Sequence, residues 1–502
     1  MRLGRTATLV AAATVALAFA TGCTDDGADD AASPRSTRGE DVAAPTVTGP
    51  IEGGTYDLPF NPAPRGSLEA NDYSEEEYFL AGTATSYLPA EPWGEDGDWT
   101  VEEAETADYT TRVLVRRPVD PEEFDGTVVV EWLNVTAGMD ADPGWGFASE
   151  ELMRRGAAWV GVSAQLIGVE GGESIIDIPG LELLALKPWD PERYGQLSHP
   201  GDEYSFDIFS QAAQALLRPD GVEPLDGLDA TQLIATGQSQ SAARLVTYVN
   251  AVHPVADIYD GFMIHSRGDG GAPIDPAAAQ PMPEPALIRT DLSDPVMTFQ
   301  TETDLLSLGS LAARQPDTDT VVTWEVAGTA HADLDTVEYG IESGSQWNTT
   351  ATPDFAEMCG GPLNDGGAQY PFRQALASLI SWALGGEPPA TGVPIETVAE
   401  PDGAVEIARD EFGNAFGGVR TTRVDVPVAT YDGAPRPDSS VVCSFFGSTT
   451  PFTQEQLDSL YASHDDYVRD VEDAADALLA EEFLLAPDRD ALVEAAESAP
   501  VP

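Results

Sequence analysis

Short apolar runs and segments of helical period alternate along most of this chain, each run bounded by Gly, Pro or polar residues. The runs TTRVLVRRP (110–118), TVVVEWLNV (127–135), AAWVGVSAQ (157–165), TQLIATG (231–237), PVMTFQT (295–301) and TVVTWEVAG (320–328) read as strands. Most are continuously apolar, the pattern of strands covered on both faces. Between them WGFASEELMRRG, YSFDIFSQAAQALLR, SQSAARLVTYVNAVHP and FRQALASLISWALGG read as helices, and the last ends in Gly-Gly, a helix stop. This alternation predicts an α/β fold, a mostly parallel central sheet with helices on both faces.

The pattern breaks in four places. Residues 166–200 and 262–294 are long insertions containing Gly and Pro; loops of that length usually serve function, and a lid or pocket wall is expected there. These interrupt a core spanning 51–390. From 391 to 502 a β-like stretch and two amphipathic helices, TQEQLDSLYASHDDYVRDVEDAADALLAEEF and DRDALVEAAES, form a C-terminal extension expected to pack on the core. At the other end, Arg2 and Arg5 precede an apolar run too short to span a membrane comfortably, followed by Ala20-Thr21-Gly22-Cys23. Residues 1–23 read as an export signal of the lipoprotein type with Cys23 as the lipidated residue, and the acidic, Pro/Gly-punctuated residues 24–50 as a flexible tether. The expected location is the outer face of the cell membrane, with release as a secreted protein as the alternative.

Composition narrows the partners. The chain has 502 residues, 42% of them hydrophobic, enough for a large core. Asp and Glu number 86 against 24 Lys and Arg, a formal charge of −62, which repels nucleic-acid phosphates and anionic surfaces. No nucleic-acid partner is expected. With Cys23 assigned to the anchor, Cys359 and Cys443 remain, and export predicts that they form a disulfide; two separate buried thiols are the alternative. No His-x-x-x-His or clustered Cys/His spacing suggests a metal, and no cofactor is expected.

The candidate chemistry centres on Gly237-Gln238-Ser239-Gln240-Ser241, at the junction of a strand and a helix. A tight strand-turn-helix elbow needs small residues two before and two after its nucleophile, and Gly237 and Ser241 meet that need. The competing reading is a helix cap at Ser239. A serine hydroxyl needs a base to take its proton and an acid to orient that base. His331 follows the last strand, where such a base belongs. Asp304 occupies the usual place for the acid relative to the end of the preceding strand, and Glu302 can also reach. Backbone N–H donors for a developing oxyanion are expected from Gln240 and from the loop at Asn134 and Val135. Gln165, Trp189, His199 and His265 are candidates for the substrate pocket, whereas His253 before Pro254 reads as a cap.

Together VVVEWLNVTAG, GVSAQLIGV, HPGDEYSFDIFSQA, ATGQSQSAARL, QTETDL, AGTAHAD and GNAFGGVRTTRVDVP resemble a bacterial α/β-hydrolase-domain family of secreted and membrane-associated proteins. The resemblance runs from about residue 45 into the C-terminal helices. It implies an α/β-hydrolase core, the Ser239/His331 pair with Glu302 or Asp304, and a GGVR element near the site, while adding little about substrate. The expected function is a serine hydrolase acting on a small-molecule carboxylic ester. Lactone hydrolysis, acyl transfer, or ligand binding by a non-catalytic lipoprotein on the same fold are the alternatives, and the oligomeric state is open.

Overall fold

The computed structural model describes residues 38–501 apart from 177, 179–183, 278–280, 348–352, 400, 402–403 and 437–438. Gly39–Pro502 belong to one compact unit. The expected export signal, Cys23 and most of the tether lie outside the described residues. The strands up to residue 330 are β1 (Thr46–Thr48), β2 (Tyr73–Pro89), β3 (Val101–Pro118), β4 (Thr127–Trp132), β5 (Ala158–Val162), β6 (Asp220–Gly221), β7 (Gln232–Gln238), β8 (Gly261–His265), β9 (Val296–Thr301) and β10 (Val321–Ala327). Beyond residue 391 follow β11 (Thr397–Ala399), β12 (Val405–Ile407), β13 (Val419–Arg420), β14 (Ala429–Asp432) and β15 (Ser448–Pro451).

One sheet runs β13-β10-β9-β8-β7-β4-β5-β3-β2-β1-β6, eleven strands among the described residues. From β13 to β5 every neighbouring pair is parallel, and β5, β3, β2 and β1 continue the sheet antiparallel. This is the α/β architecture that the strand and helix pattern predicts. Helices α1 (Pro143–Arg155), α2 (Ser205–Leu217), α3 (Gln240–Thr247) and α6 (Gln369–Ala383) cover its faces, with α4 (Glu302–Leu306) and α5 (Leu334–Gly344) between them in sequence. In β4, Val128, Val130 and Trp132 pack with Phe206 and Phe209 of α2 and Leu245 of α3. Val129, on the opposite face, packs with Leu152 of α1 and Leu376 and Leu379 of α6. The strand reads as a continuous apolar run because both faces are dry, and each such large side chain contributes ~1.5–3 kcal/mol on burial.

The sheet is wider than the sequence pattern suggested. β2 escapes hydrophobic periodicity because Glu75 and Glu77 lie within it. Glu77 is buried against Arg112 at 3.0 Å and Arg193 at 2.6 Å, and Glu75 meets Arg116 at 2.8 Å. A charge neutralised by a distant arginine reads as polar in one dimension and packs as core in three. β8 falls inside the expected 262–294 insertion, which therefore starts only after His265. Thr46–Thr48, expected at the end of the flexible tether, instead form β1 between β2 and β6, with Val47 buried.

The C-terminal extension contributes to the sheet as well as packing on it, since β13 pairs with Val326 and Ala327 of β10. Its first predicted amphipathic helix is two, α7 (Gln454–Leu460) and α8 (His464–Ala480), separated where the Ser463 side chain accepts the Asp466 N–H and caps α8; α9 (Ala486–Ser498) follows. Cys359 and Cys443 form a disulfide with a Cα–Cα distance of 5.4 Å, linking this extension to the segment before α6. Among the described residues no helix is long and apolar enough to cross a membrane.

Candidate active site

β7 ends at Gln238 and α3 starts at Gln240, so a single residue, Ser239, turns the chain between them, at φ 63° and ψ −117°. That region is strained for a residue with a Cβ, on the order of 1–3 kcal/mol. It is held by packing: the Ser239 N–H donates to the His265 carbonyl of β8 at 2.9 Å. A Cβ on Gly237 would come within 3.1 Å of Ser241, so both positions must stay small for the turn to close. Although Ser239 precedes a helix, its side chain makes no capping bond.

The Ser239 hydroxyl lies 2.8 Å from His331 Nε2. His331 Nδ1 lies 2.6 Å from Asp304 Oδ1, and the other Asp304 oxygen accepts the Thr301 N–H at 2.7 Å and the Thr301 hydroxyl at 2.8 Å. Thr301 is the N-cap of α4 and Asp304 its third residue, so one capping box fixes the carboxylate that meets the imidazole. This contact sets a tautomer with the proton on Nδ1 and an unprotonated Nε2, which faces the serine hydroxyl and lies 3.3 Å from the Gln238 amide nitrogen. The His331 N–H donates to Thr303 Oγ1 at 3.2 Å, and the Phe445 ring lies 5.0 Å from the imidazole, centroid to centroid.

Glu302 does not meet His331. Its carboxylate is buried and accepts the N–H groups of Gly328 at 2.5 Å and Gly433 at 3.1 Å, with Arg409 Nη2 at 3.1 Å. Burial raises its pKa, opposed by the Arg409 guanidinium. It fastens the turn that begins the histidine loop to the C-terminal extension. The GGVR element lies beside that turn, with Val419 and Arg420 paired to the last residues of β10.

Of the expected oxyanion donors, Gln240 occupies the first position of α3, where a helix leaves its N–H groups without internal partners. Asn134 is differently engaged: its backbone N–H donates to Ala141 at 2.9 Å and its side-chain amide to the Gln238 carbonyl at 2.9 Å. From that loop, Val135 remains.

A cavity of about 280 Å³ opens over Ser239 and His331. Ile176 and Ile178, from the first insertion, form part of its wall. The expected pocket residues lie elsewhere. Gln165 accepts the Trp132 indole N–H at 3.0 Å, and His199 Nε2 meets the Ala164 carbonyl at 2.9 Å. Trp189 stacks on Tyr56 at 4.4 Å and stands edge-on to Trp347, which does line the cavity. His265 is fully enclosed by Phe147, Phe299 and Phe372, and burial lowers its pKa to about 3. His253 starts a short helix and bonds Asp294 at 3.0 Å. With Asp257 these two bring ligand-type atoms within 4.8 Å of one another. The sequence reading missed Tyr339, Trp347, Phe355 and Phe445 in the cavity wall. Only Phe355 and Phe445 carried a signal, proximity to Cys359 and Cys443; Tyr339 and Trp347 carried none.

The chain belongs to an alpha/beta hydrolase domain family, whose model matches residues 47–494. No curated protein matches it. Among solved structures it resembles an α/β serine hydrolase without a lid from Xanthomonas campestris, at 11% identity over 53% of this chain and 97% of that one, with a TM-score of 0.26. It also resembles a glucuronoyl esterase from Solibacter usitatus, at 12% identity over 61% of this chain and 89% of that one, with a TM-score of 0.27.

Proposed function

We propose that the protein is an exported serine hydrolase that cleaves small-molecule carboxylic esters through an acyl-enzyme on Ser239. The observation that carries this reading is the continuous contact from the Ser239 hydroxyl through His331 to Asp304 at a strained strand-to-helix turn. His331 Nε2 takes the hydroxyl proton as Ser239 Oγ attacks the ester carbonyl, and Asp304 stabilises the resulting imidazolium. The N–H groups of Gln240 and Val135 serve as donors to the oxyanion, aided by the positive end of α3. His331 then protonates the departing alkoxide oxygen. In the second half, water attacks the acyl carbonyl while His331 accepts its proton, and Ser239 is regenerated. An ester suits this site better than an amide, because an alcohol needs less protonation to leave.

The export pattern of residues 1–23 supports placing the enzyme on the outer face of the cell membrane through lipid on Cys23. Cys23→Ala is expected to move it from the membrane fraction to the medium; retention at the membrane would contradict the anchor. For the chemistry, hydrolysis of p-nitrophenyl butanoate by purified protein is the direct test. Ser239→Ala and His331→Ala each lower kcat by on the order of 10⁴ or more. Turnover surviving in Ser239→Ala would overturn the proposal.

A further inference from the structure

The cleft over Ser239 is mostly apolar, and most of the polar groups among its described lining residues already have partners, although the Thr136 hydroxyl is buried without one. Asn61 donates to Asp142 at 2.6 Å, the Tyr339 hydroxyl donates to the other Asp142 oxygen at 2.7 Å, and the Thr336 hydroxyl bonds Asp333 at 2.9 Å. The Asn134 amide is spent on Gln238, as above. No Lys or Arg is among the described lining residues, and Arg116, the cation behind Asp142, is fully buried between Asp142 at 2.5 Å and Glu75 at 2.8 Å. A charged substrate would lose its hydration here without finding an unpaired opposite charge among the described lining residues. An anionic one would also meet the field of a chain carrying −62.

What remains is an apolar lining in which Ile176, Ile178 and Val337 belong to one cluster with Phe355 and Phe446, with Ile341 and Phe445 also in the wall. The apolar surface continues outward. Ile341, itself a lining residue, is 38% exposed, and Ile175 and Val441, each 66% exposed, are next in sequence to the lining residues Ile176 and Val442. The leaving oxygen must sit beside His331 Nε2, the proton donor, and that imidazole faces Phe445.

Resting on the serine-hydrolase reading, we propose that the substrate is an uncharged ester whose acyl portion is apolar and lies along the mixed aliphatic and aromatic lining of this cleft. Each acyl methylene taken from water contributes up to ~0.8 kcal/mol, about fourfold in kcat/KM.

The test is a series on the wild-type protein: p-nitrophenyl acetate, butanoate, hexanoate and octanoate, and the mono-p-nitrophenyl ester of adipic acid, which matches hexanoate in length but ends in a carboxylate. Labelling by a fluorophosphonate is run in parallel to report Ser239 independently of substrate choice. The expected result is octanoate at least tenfold above acetate in kcat/KM, and the adipate ester at least tenfold below hexanoate. Ile341→Glu, at a half-exposed position that tolerates charge without unfolding, lowers the octanoate-to-acetate ratio at least fivefold. A flat series, an adipate ester as good as hexanoate, an unchanged ratio in Ile341→Glu, or no turnover by protein that labels at Ser239 would each overturn the substrate class while the serine reading stands. Absence of both labelling and turnover would overturn the serine reading and this inference with it.

Discussion

Glu302 and Asp304 stand two positions apart, yet their carboxylates serve different partners. As first and third residues of α4 they point to different sides: Asp304 folds back over the N-cap and reaches His331, while Glu302 turns toward Gly328, Gly433 and Arg409. Removing the charge of each therefore has different consequences. Asp304→Asn leaves the imidazole with a poor acceptor at Nδ1 and lowers kcat by about 10⁴. Glu302→Gln lowers kcat less than about tenfold, while it destabilises the fold by ~1–3 kcal/mol because buried donors lose a charged acceptor. Ester turnover and urea unfolding on both variants check this, and equal kinetic losses would contradict it. The sequence left this pair open because strand-end position alone does not fix which face of the following turn a side chain occupies. Ser239 and His331 were legible because each follows the carboxyl end of a strand. His199 and His265 looked like pocket candidates for want of any sign that their surroundings are closed.

At the scale of elements, the loop that carries His331 is set by the start of α5. Asp333 caps α5, accepting the Thr336 N–H at 3.0 Å and the Thr336 hydroxyl at 2.9 Å. Burial, with Asp335 nearby, pushes its pKa up to about 7. An unfolded aspartate titrates at ~3.9, so the folded state binds this proton more tightly. Its contribution to stability is full below about pH 4 and is lost as pH rises through 7. Asp333→Asn keeps an acceptor for the cap and removes the charge, so relative to wild type it gains ~1–3 kcal/mol at pH 8 and little at pH 4. Urea denaturation at the two pH values measures this; an equal difference at both would contradict it. Elements with continuous apolar runs, such as β4 and β7, were readable from pattern alone. β2 was not, because its buried glutamates are compensated by arginines 35 to 116 residues away. β8, no shorter than β5, was missed because its apolar run leads directly into the Gly- and Pro-rich residues after His265 and was read as one insertion with them.

Across the whole molecule, the disulfide joins two segments that each place phenylalanine in the cleft wall, Phe355 before Cys359 and Phe445 after Cys443, across 84 residues. Closing a loop of that length restricts the unfolded chain by about 4–5 kcal/mol in the chain-entropy model. Reduction, or Cys359→Ser with Cys443→Ser, therefore lowers Tm by roughly 5 °C for a unit of this size. Calorimetry with and without reductant tests this; an unchanged Tm would contradict it. The expectation of a disulfide came from compartment and cysteine count, and the cleft wall it supports was invisible because its residues converge only through tertiary packing.

Whether Ser239 is the nucleophile is decided by a fluorophosphonate with intact-mass and peptide readout. One adduct per chain is expected, mapped to Ser239, absent in Ser239→Ala and formed far more slowly in His331→Ala. A folded wild-type protein that forms no adduct, or that carries it on another residue, would rule out Ser239 as the nucleophile.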